Sequence, residues 1–360
     1  IVENKNGGIY RSEDAGETWA QVNTDKNLRQ RPWYYSVIAA DPGNYDGLYV
    51  CNVGFWKTAD GGKTSTQFQV PHGDTHDVWV DPKNPSRMIL ADDGSASVST
   101  DAGKTWTDID VPTAQIYHVS VDNDFPYHIY GAQQDNTALR IKSRNPEGGS
   151  ITKKDWDVVA GGESGYIVSD PTNSDIVYGG SYMGYLAKMN MKTGEDQNIS
   201  PNPITYLGAG SEDMKFRFQW TYPIVFSPHN PKIMYITSQY VHKTMDGGQS
   251  WEVISPILTR NDTNTLKSSG GPITKDNTGA ETFSDIFTFA ESPVQAGVFY
   301  AGSDDGWLHV SKDNGKNWTK LNVAGLGEWA MMSLIEPSHY EAGTAYLAAN
   351  RYKLDDTKPY

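Results

Sequence analysis

An eight-residue pattern, Ser/Thr-x-Asp-x-Gly-x-x-Trp, recurs along this chain and constrains its fold more than any other feature. Complete copies lie at Ser12–Trp19, Ser99–Trp106, Thr244–Trp251 and Ser311–Trp318. A fifth, from Thr58, carries Ser65 where the Trp should be. Short β-type runs flank each copy, such as Gly54-Phe55-Trp56-Lys57 before and Trp251-Glu252-Val253-Ile254 after, so each box reads as a β-hairpin turn. The Asp can accept backbone N–H bonds inside the turn, the Gly can take a positive φ, and the Trp can close the apolar layer between neighbouring sheets. Turn chemistry alone accounts for the three constant residues. The boxes are therefore expected to build the fold and not to hold a ligand.

A second repeat precedes the boxes. Asp41-Pro42-Gly43-Asn44, Asp81-Pro82-Lys83-Asn84 and Asp170-Pro171-Thr172-Asn173 each separate two apolar runs, with variants at Ser227-Pro228, Ser292-Pro293, Glu336-Pro337 and Asp122-Asn123-Asp124. Together the two signals give a four-stranded antiparallel meander per repeat. Box starts at 12, 58, 99, 244 and 311 leave one gap of 145 residues, which fits three repeats of about 48, two of them without boxes. The expected fold is an all-β propeller of about seven four-stranded blades. Six complete blades are expected over residues 34–325, with first strands starting near Tyr35, Asp77, Ile116, Tyr166, Pro223 and Ile286. Residues 1–22 are expected to give three strands of one partial blade and residues 330–360 two strands of another. The two could merge to close a ring. The reading preferred from the sequence is instead that both belong to a longer array.

Composition excludes several classes. The net charge of −14 with no basic stripe argues against nucleic acid and anionic membrane surfaces as partners. No apolar run approaches the roughly 18 residues of a membrane-spanning helix. The single cysteine, Cys51, lies in a strand-like run and is expected to be a buried thiol.

The boxes resemble the Asp-box (BNR) repeats of β-propellers, found in sialidases, xyloglucanases and sortilin-type receptors. The linkers from Asn27 to Tyr35, Pro71 to Asp77, Gly131 to Asn136, Gly161 to Tyr166 and Ser269 to Thr278 are similar to those of large bacterial secreted proteins described as BNR-repeat glycosyl hydrolases or sortilin-like proteins. The resemblance implies a secreted, cell-surface or periplasmic location. It also implies a longer parent whose remaining blades are partners of this portion, and a tandem-propeller arrangement like that of xyloglucanases with a propeller boundary near 111–114. The catalytic Asp motifs of xyloglucanases match no position here, and no Arg-Ile-Pro motif of the sialidases is present.

Blade-entry linkers converge at one mouth of a propeller, which makes them the candidate site. Six carboxylates are candidates for acid/base or nucleophilic work: Asp74, Asp77, Asp135, Glu163, Asp285 and Glu328. Glycoside hydrolysis needs two of them across the scissile bond, about 5 Å apart for retention and roughly 6.5–9.5 Å for inversion. Substrate contacts are expected from Arg29, Arg31, Trp33, Tyr34, His72, His76, Gln134 and Trp220. No metal site or cofactor is assigned, although His72-Gly73-Asp74-Thr75-His76-Asp77 concentrates His and Asp of the kind that bind Zn or Mn. Asp92-Asp93-Gly94 and Asp304-Asp305-Gly306 read as hairpin turns. Three functions remain open: a glycoside hydrolase acting on a polysaccharide or glycan, a non-catalytic sortilin-like propeller binding a peptide or protein, and a metal-dependent hydrolase.

Overall fold

Each Asp box closes a hairpin through the same set of hydrogen bonds. In the copy at Ser99, Ser99 Oγ accepts the Gly103 N–H at 2.8 Å and donates to Asp101 Oδ1 at 3.0 Å. Asp101 Oδ1 accepts the Thr105 N–H at 2.9 Å, and Trp106 Nε1 donates to the Gly103 carbonyl at 3.1 Å. Bonds from the Thr105 hydroxyl and N–H hold the Asp101 carboxyl down at about 2. Both central residues, not the Gly alone, are left-handed: Ala102 has φ 61° and Gly103 φ 84°. That explains why Ala, Gly or Asn stands at the variable position, since none carries a β-branch against the turn. The Ser99 and Asp101 side chains are engaged within the box, as the sequence suggests, while the Ala102 N–H donates outside it to the Ser86 carbonyl at 2.9 Å. Ser99 is buried, so Ser99→Ala leaves the Gly103 N–H without its acceptor. A cost of about 1–3 kcal/mol is expected, read as a lower urea midpoint.

The computed structural model describes all residues except 32–33, 110–112 and 272–274. Trp33 and part of the 269–278 linker therefore lie outside the described residues. The strands, among the described residues, form eight antiparallel sheets, six of four strands and two of two. Two compact units emerge, Ile1–Thr113 with Gly270–Asp276, and Ala114–Ser269 with Asn277–Tyr360.

Unit 1 holds the hairpin β1 (Ile9–Arg11) and β2 (Ala20–Asn23), then the blade β3–β6 (Val37–Ala40, Leu48–Cys51, Phe55–Thr58, Thr66–Phe68). The blade β7–β10 (Thr75–Val80, Met88–Asp92, Ser95–Ser99, Thr107–Ile109) follows. Unit 2 holds β11–β14 (Ser120–Val121, His128–Ala132, Ala138–Lys142, Trp156–Val158) and β15–β18 (Ile167–Asp170, Asn173–Gly180, Leu186–Asn190, Glu195–Asn198). Next come β19–β22 (Ile224–Phe226, Met234–Thr237, Val241–Thr244, Glu252–Val253) and β23–β26 (Ile286–Glu291, Phe299–Ser303, Leu308–Ser311, Thr319–Leu321). The pair β27 (Met331–Pro337) and β28 (Ala345–Asn350) ends the unit. The meander repeat is the blade of a β-propeller; five first strands begin within two residues of the expected starts, and β11 begins at Ser120 where Ile116 was expected. A second detail differs. Residues 1–22 were expected to give three strands, but before β1 there is only a Val2–Gly8 bridge, because the backbone turns back through Asn4.

The cores lie between successive blades. Tyr49, Phe55, Val78 and Leu90 join β3–β6 to β7–β10, and Tyr235, Phe289 and Phe299 join β19–β22 to β23–β26. Box tryptophans seal these layers: Trp106 meets Phe55 edge-on at 5.8 Å, and Trp318 stacks on Phe299 at 6.2 Å. Cys51 is a free buried thiol, pushed up to about 12 by burial. Among the described residues, no helix is long and apolar enough to cross a membrane.

Candidate functional site

In unit 2, three loops bring polar and aromatic groups together beside the blades β11–β14, β15–β18 and β19–β22. The first is the turn between β12 and β13, where Asp135 takes a left-handed φ of 57°. The second is the linker entering β15, and the third the turn between β16 and β17. In that turn Met183 and Gly184 are both left-handed, and a Cβ on Gly184 would lie 2.2 Å from the Phe218 ring. Only glycine allows this approach. It seats Tyr182 against the segment leading into β19, where Tyr182 stacks on Trp220 with centroids 5.0 Å apart and planes 12° apart. Tyr117 meets the same Trp220 edge-on at 6.4 Å.

Polar groups rim these rings. The Tyr117 hydroxyl donates to Gln134 Oε1, and Gln115 Nε2 donates to that hydroxyl at 3.2 Å. The Asp135 N–H donates to Glu163 Oε2 at 3.1 Å, making the two acids neighbours. Burial raises the Tyr117 and Tyr182 phenols, and the charge of Glu163 adds to both. Tyr182 also lines a mostly apolar cavity of about 290 Å³ with Gly162, Met183, Tyr185, Asn202 and Ile204. This arrangement offers flat rings, carboxylate and amide acceptors, and a cleft: the means of holding a polyhydroxylated ring.

A second cluster of unit 2 is buried. Asp285, at the start of β23, is fully buried, and neither carboxylate oxygen has a hydrogen-bond partner. Arg217 Nε lies 3.7 Å from its Oδ1, while the Arg217 guanidinium donates to the Ser284 carbonyl at 3.1 Å and to Asn261 at 2.9 Å. Asp304 Oδ1 accepts the Asp285 N–H at 2.9 Å, and Asp305 accepts the Ser284 hydroxyl at 2.7 Å. Burial drives the Asp285 carboxyl up to about 7 against the pull of Arg217, and raises Asp304 well above the usual range. Asp304 and Asp305 do sit in the expected hairpin turn between β24 and β25, with their carboxylates turned inward.

Unit 1 gathers a different set. Tyr34, half exposed, packs against Tyr35 and His76 at 4.7 and 5.5 Å, and Arg31 lies 5.1 Å over its ring. Tyr35 donates to Asp74 Oδ1, and His76 Nε2 pairs with Asp93 Oδ1. Asp77 Oδ1 accepts the Val78 N–H at 2.8 Å, His72 Nδ1 meets the Gly73 carbonyl at 3.0 Å, and Arg29 Nη1 donates to the Asn4 carbonyl at 3.2 Å. The acids and imidazoles of the 72–77 linker thus face separate partners.

The structure brings Gln134, Asp135, Glu163 and Trp220 into one site, places Asp285 in a buried network, and leaves Glu328 exposed beside Trp329. Sequence reasoning missed Tyr117, Gln115 and Tyr182. Tyr182 had a usable signal, an aromatic between Gly180 and Gly184 inside a turn, where no strand packing calls for it. Tyr222 is fully buried and donates to the Tyr185 carbonyl at 2.5 Å, so it packs between blades and offers no stacking surface.

Comparison with known proteins gives a family match to part of the chain. Residues 7–160 match the family model Sortilin-Vps10. That model is described as sortilin, neurotensin receptor 3, and the match covers β1 to β14, including Tyr117, Gln134 and Asp135. Among curated proteins, none matches the chain. Similar solved structures include the GH74 xyloglucanase from Xanthomonas campestris, at 12% identity over 88% of this chain and 64% of that one, with TM-score 0.27. Others are YCF48 bound to D1 peptide, at 12% identity over 88% and 90% with TM-score 0.38, and the Cps50 (Swd1) β-propeller domain of Myceliophteria thermophila, at 13% over 87% and 92% with TM-score 0.39. The chain spans less than two thirds of the length of the xyloglucanase.

Proposed function

We propose that this chain is a carbohydrate-active propeller that binds a glycan on the Tyr117–Tyr182–Trp220 cluster, with Glu163 and Asp135 as the acid pair for its hydrolysis. The observation that carries the reading is the stacked Tyr182–Trp220 pair, whose Tyr182 lines the cleft together with Gly162, the neighbour of Glu163. Aromatic faces match the C–H faces of a pyranose, while Glu163, Gln134 and Asn202 accept or donate to its hydroxyls. Water reaching Glu163 would be activated by one carboxylate while the other protonates the leaving oxygen. A secreted location, as the family resemblance implies, belongs to the same reading.

The test is a panel of soluble polysaccharides examined by affinity electrophoresis and reducing-sugar release, with Trp220→Ala, Tyr182→Ala and Glu163→Gln. Either ring truncation is expected to weaken glycan retention roughly 30-fold, the scale of losing an aromatic anchor worth about 2 kcal/mol. Glu163→Gln is expected to abolish sugar release while retaining binding. No retention of any glycan, together with saturable binding of extended peptides, overturns the reading in favour of a sortilin-like peptide receptor. Retention without release leaves a glycan-binding module and removes the catalytic role of Glu163.

A further inference from the structure

A cavity of about 150 Å³ lies beside the blade β23–β26, lined by Arg260, Trp307, Lys320, Asn322 and Glu328 among others. Arg260 is anchored on buried charge. Asp305, almost fully buried, accepts the Arg260 N–H on Oδ2 at 2.9 Å and the Ser303 hydroxyl on Oδ1 at 2.6 Å, while Arg260 Nε donates to the Asp305 carbonyl at 2.7 Å. The guanidinium carbon stands 4.3 Å from the Trp329 ring centroid. With Nε and one face occupied, the terminal nitrogens are the donors left to meet a ligand. Lys320 Nζ is placed likewise, 3.8 Å over the Trp307 ring. Trp329 adopts a left-handed φ of 62°, a costly conformation for a bulky residue, and it is this turn that carries both the ring under Arg260 and the neighbouring Glu328.

Two fixed cations and one acid around a small polar cavity define a ligand. A bare anion would gain from Arg260 and Lys320 and be repelled by Glu328, and a neutral sugar would leave both cations uncompensated. A molecule with one carboxylate and several hydroxyls satisfies all three, because Glu328 and Asn322 can take hydroxyl groups. We propose that this cavity binds a sugar acid of the hexuronate type, its carboxylate held by Arg260 and Lys320 and its hydroxyls by Glu328 and Asn322. The site is separate from the Tyr182–Trp220 cluster and stands without it.

Calorimetric titration of the 360-residue chain with galacturonate, galactose, acetate and glutamate tests the assignment. Galacturonate is expected to bind at least about tenfold more tightly than galactose or acetate, the scale of one charge-assisted hydrogen bond. Lys320→Gln, at an exposed position that leaves folding intact, is expected to remove roughly three- to tenfold of that affinity. Arg260→Gln is expected to remove more, and Glu328→Gln to erase the advantage over acetate. Tyr182→Ala should change nothing here, which separates failure of this site from failure of the glycan cluster. Equal affinities for galacturonate and galactose overturn the proposal, as does galacturonate binding indifferent to Lys320→Gln. Tighter binding of glutamate overturns it in favour of an amino-acid ligand, and loss of galacturonate in Tyr182→Ala moves the ligand to the other site.

Discussion

Phe299→Ala is expected to destabilise unit 2 by about 3–5 kcal/mol, the range for removing a buried aromatic ring from a packed core. Phe299 is fully buried, with Tyr235 at 5.3 Å, Phe289 at 5.6 Å and Trp318 at 6.2 Å. These partners belong to β20, β23 and the box before β26, so one truncation opens a cavity between two blades and undercuts a box tryptophan at once. Blade faces are rigid sheets held by their own ladders and can collapse little into the void, which places the cost at the upper end. Trp19→Ala is the matched control. It removes the larger side chain, that of a box tryptophan, but Trp19 is 62% exposed. Its expected effect is within about 0.5 kcal/mol. Urea unfolding followed by tryptophan fluorescence separates the two. Comparable losses would mean that the box tryptophans stabilise their own turns and not the inter-blade layer.

The contrast between Phe299 and Trp19 also shows where sequence reading ends. Asp, Gly and Trp at fixed spacing are local signals, because the hydrogen bonds they specify close within eight residues; the hairpins and blades were legible for that reason. The box at 58–65 lost its Trp and still forms, since Thr58 Oγ1 accepts the Gly62 N–H at 3.0 Å and Asp60 accepts the Thr64 N–H at 2.9 Å. The candidate site is not local. Tyr117, Asp135, Glu163, Tyr182 and Trp220 meet only because three loops and the segments entering β11 and β19 come together, and no spacing in the sequence records that. Gln134, Asp135, Glu163 and Trp220 were recognisable as polar or aromatic residues in linkers, whereas their grouping apart from Asp74, Asp77 and His76 was not. The inward turn of Asp304 and Asp305 was equally hidden. An Asp-Asp-Gly turn reads the same whether its carboxylates face solvent or a buried arginine.

That buried network should make the stability of unit 2 fall as pH rises through neutrality. An Asp285 carboxyl raised from 3.8 to about 7 keeps its proton in the fold where the unfolded chain has lost it. Between those values the unfolded state binds fewer protons, so stability decreases with rising pH, and Asp304, raised by the same burial, adds in the same direction. Three imidazoles, His242 and His309 buried and His118 half-buried, act oppositely. His118 and His309, lowered from 6.5 to about 4, and His242, lowered to about 3, are neutral in the fold while the unfolded chain is protonated, so they cost stability as pH falls below 6.5. A maximum near pH 6.5 follows, with the alkaline fall owed to the acids. Asp285→Asn isolates that term. Asparagine cannot ionise, and Arg217 keeps its bonds to Ser284 and Asn261. The stability of Asp285→Asn relative to the native chain should therefore rise by roughly 3 kcal/mol from pH 5 to pH 8, about two pH units at 1.36 kcal/mol each. Calorimetric midpoints of the unit 2 transition at pH 5, 6.5 and 8 measure it. A difference that stays flat across this range would show Asp285 ionised throughout, with Arg217 and not a proton carrying its compensation.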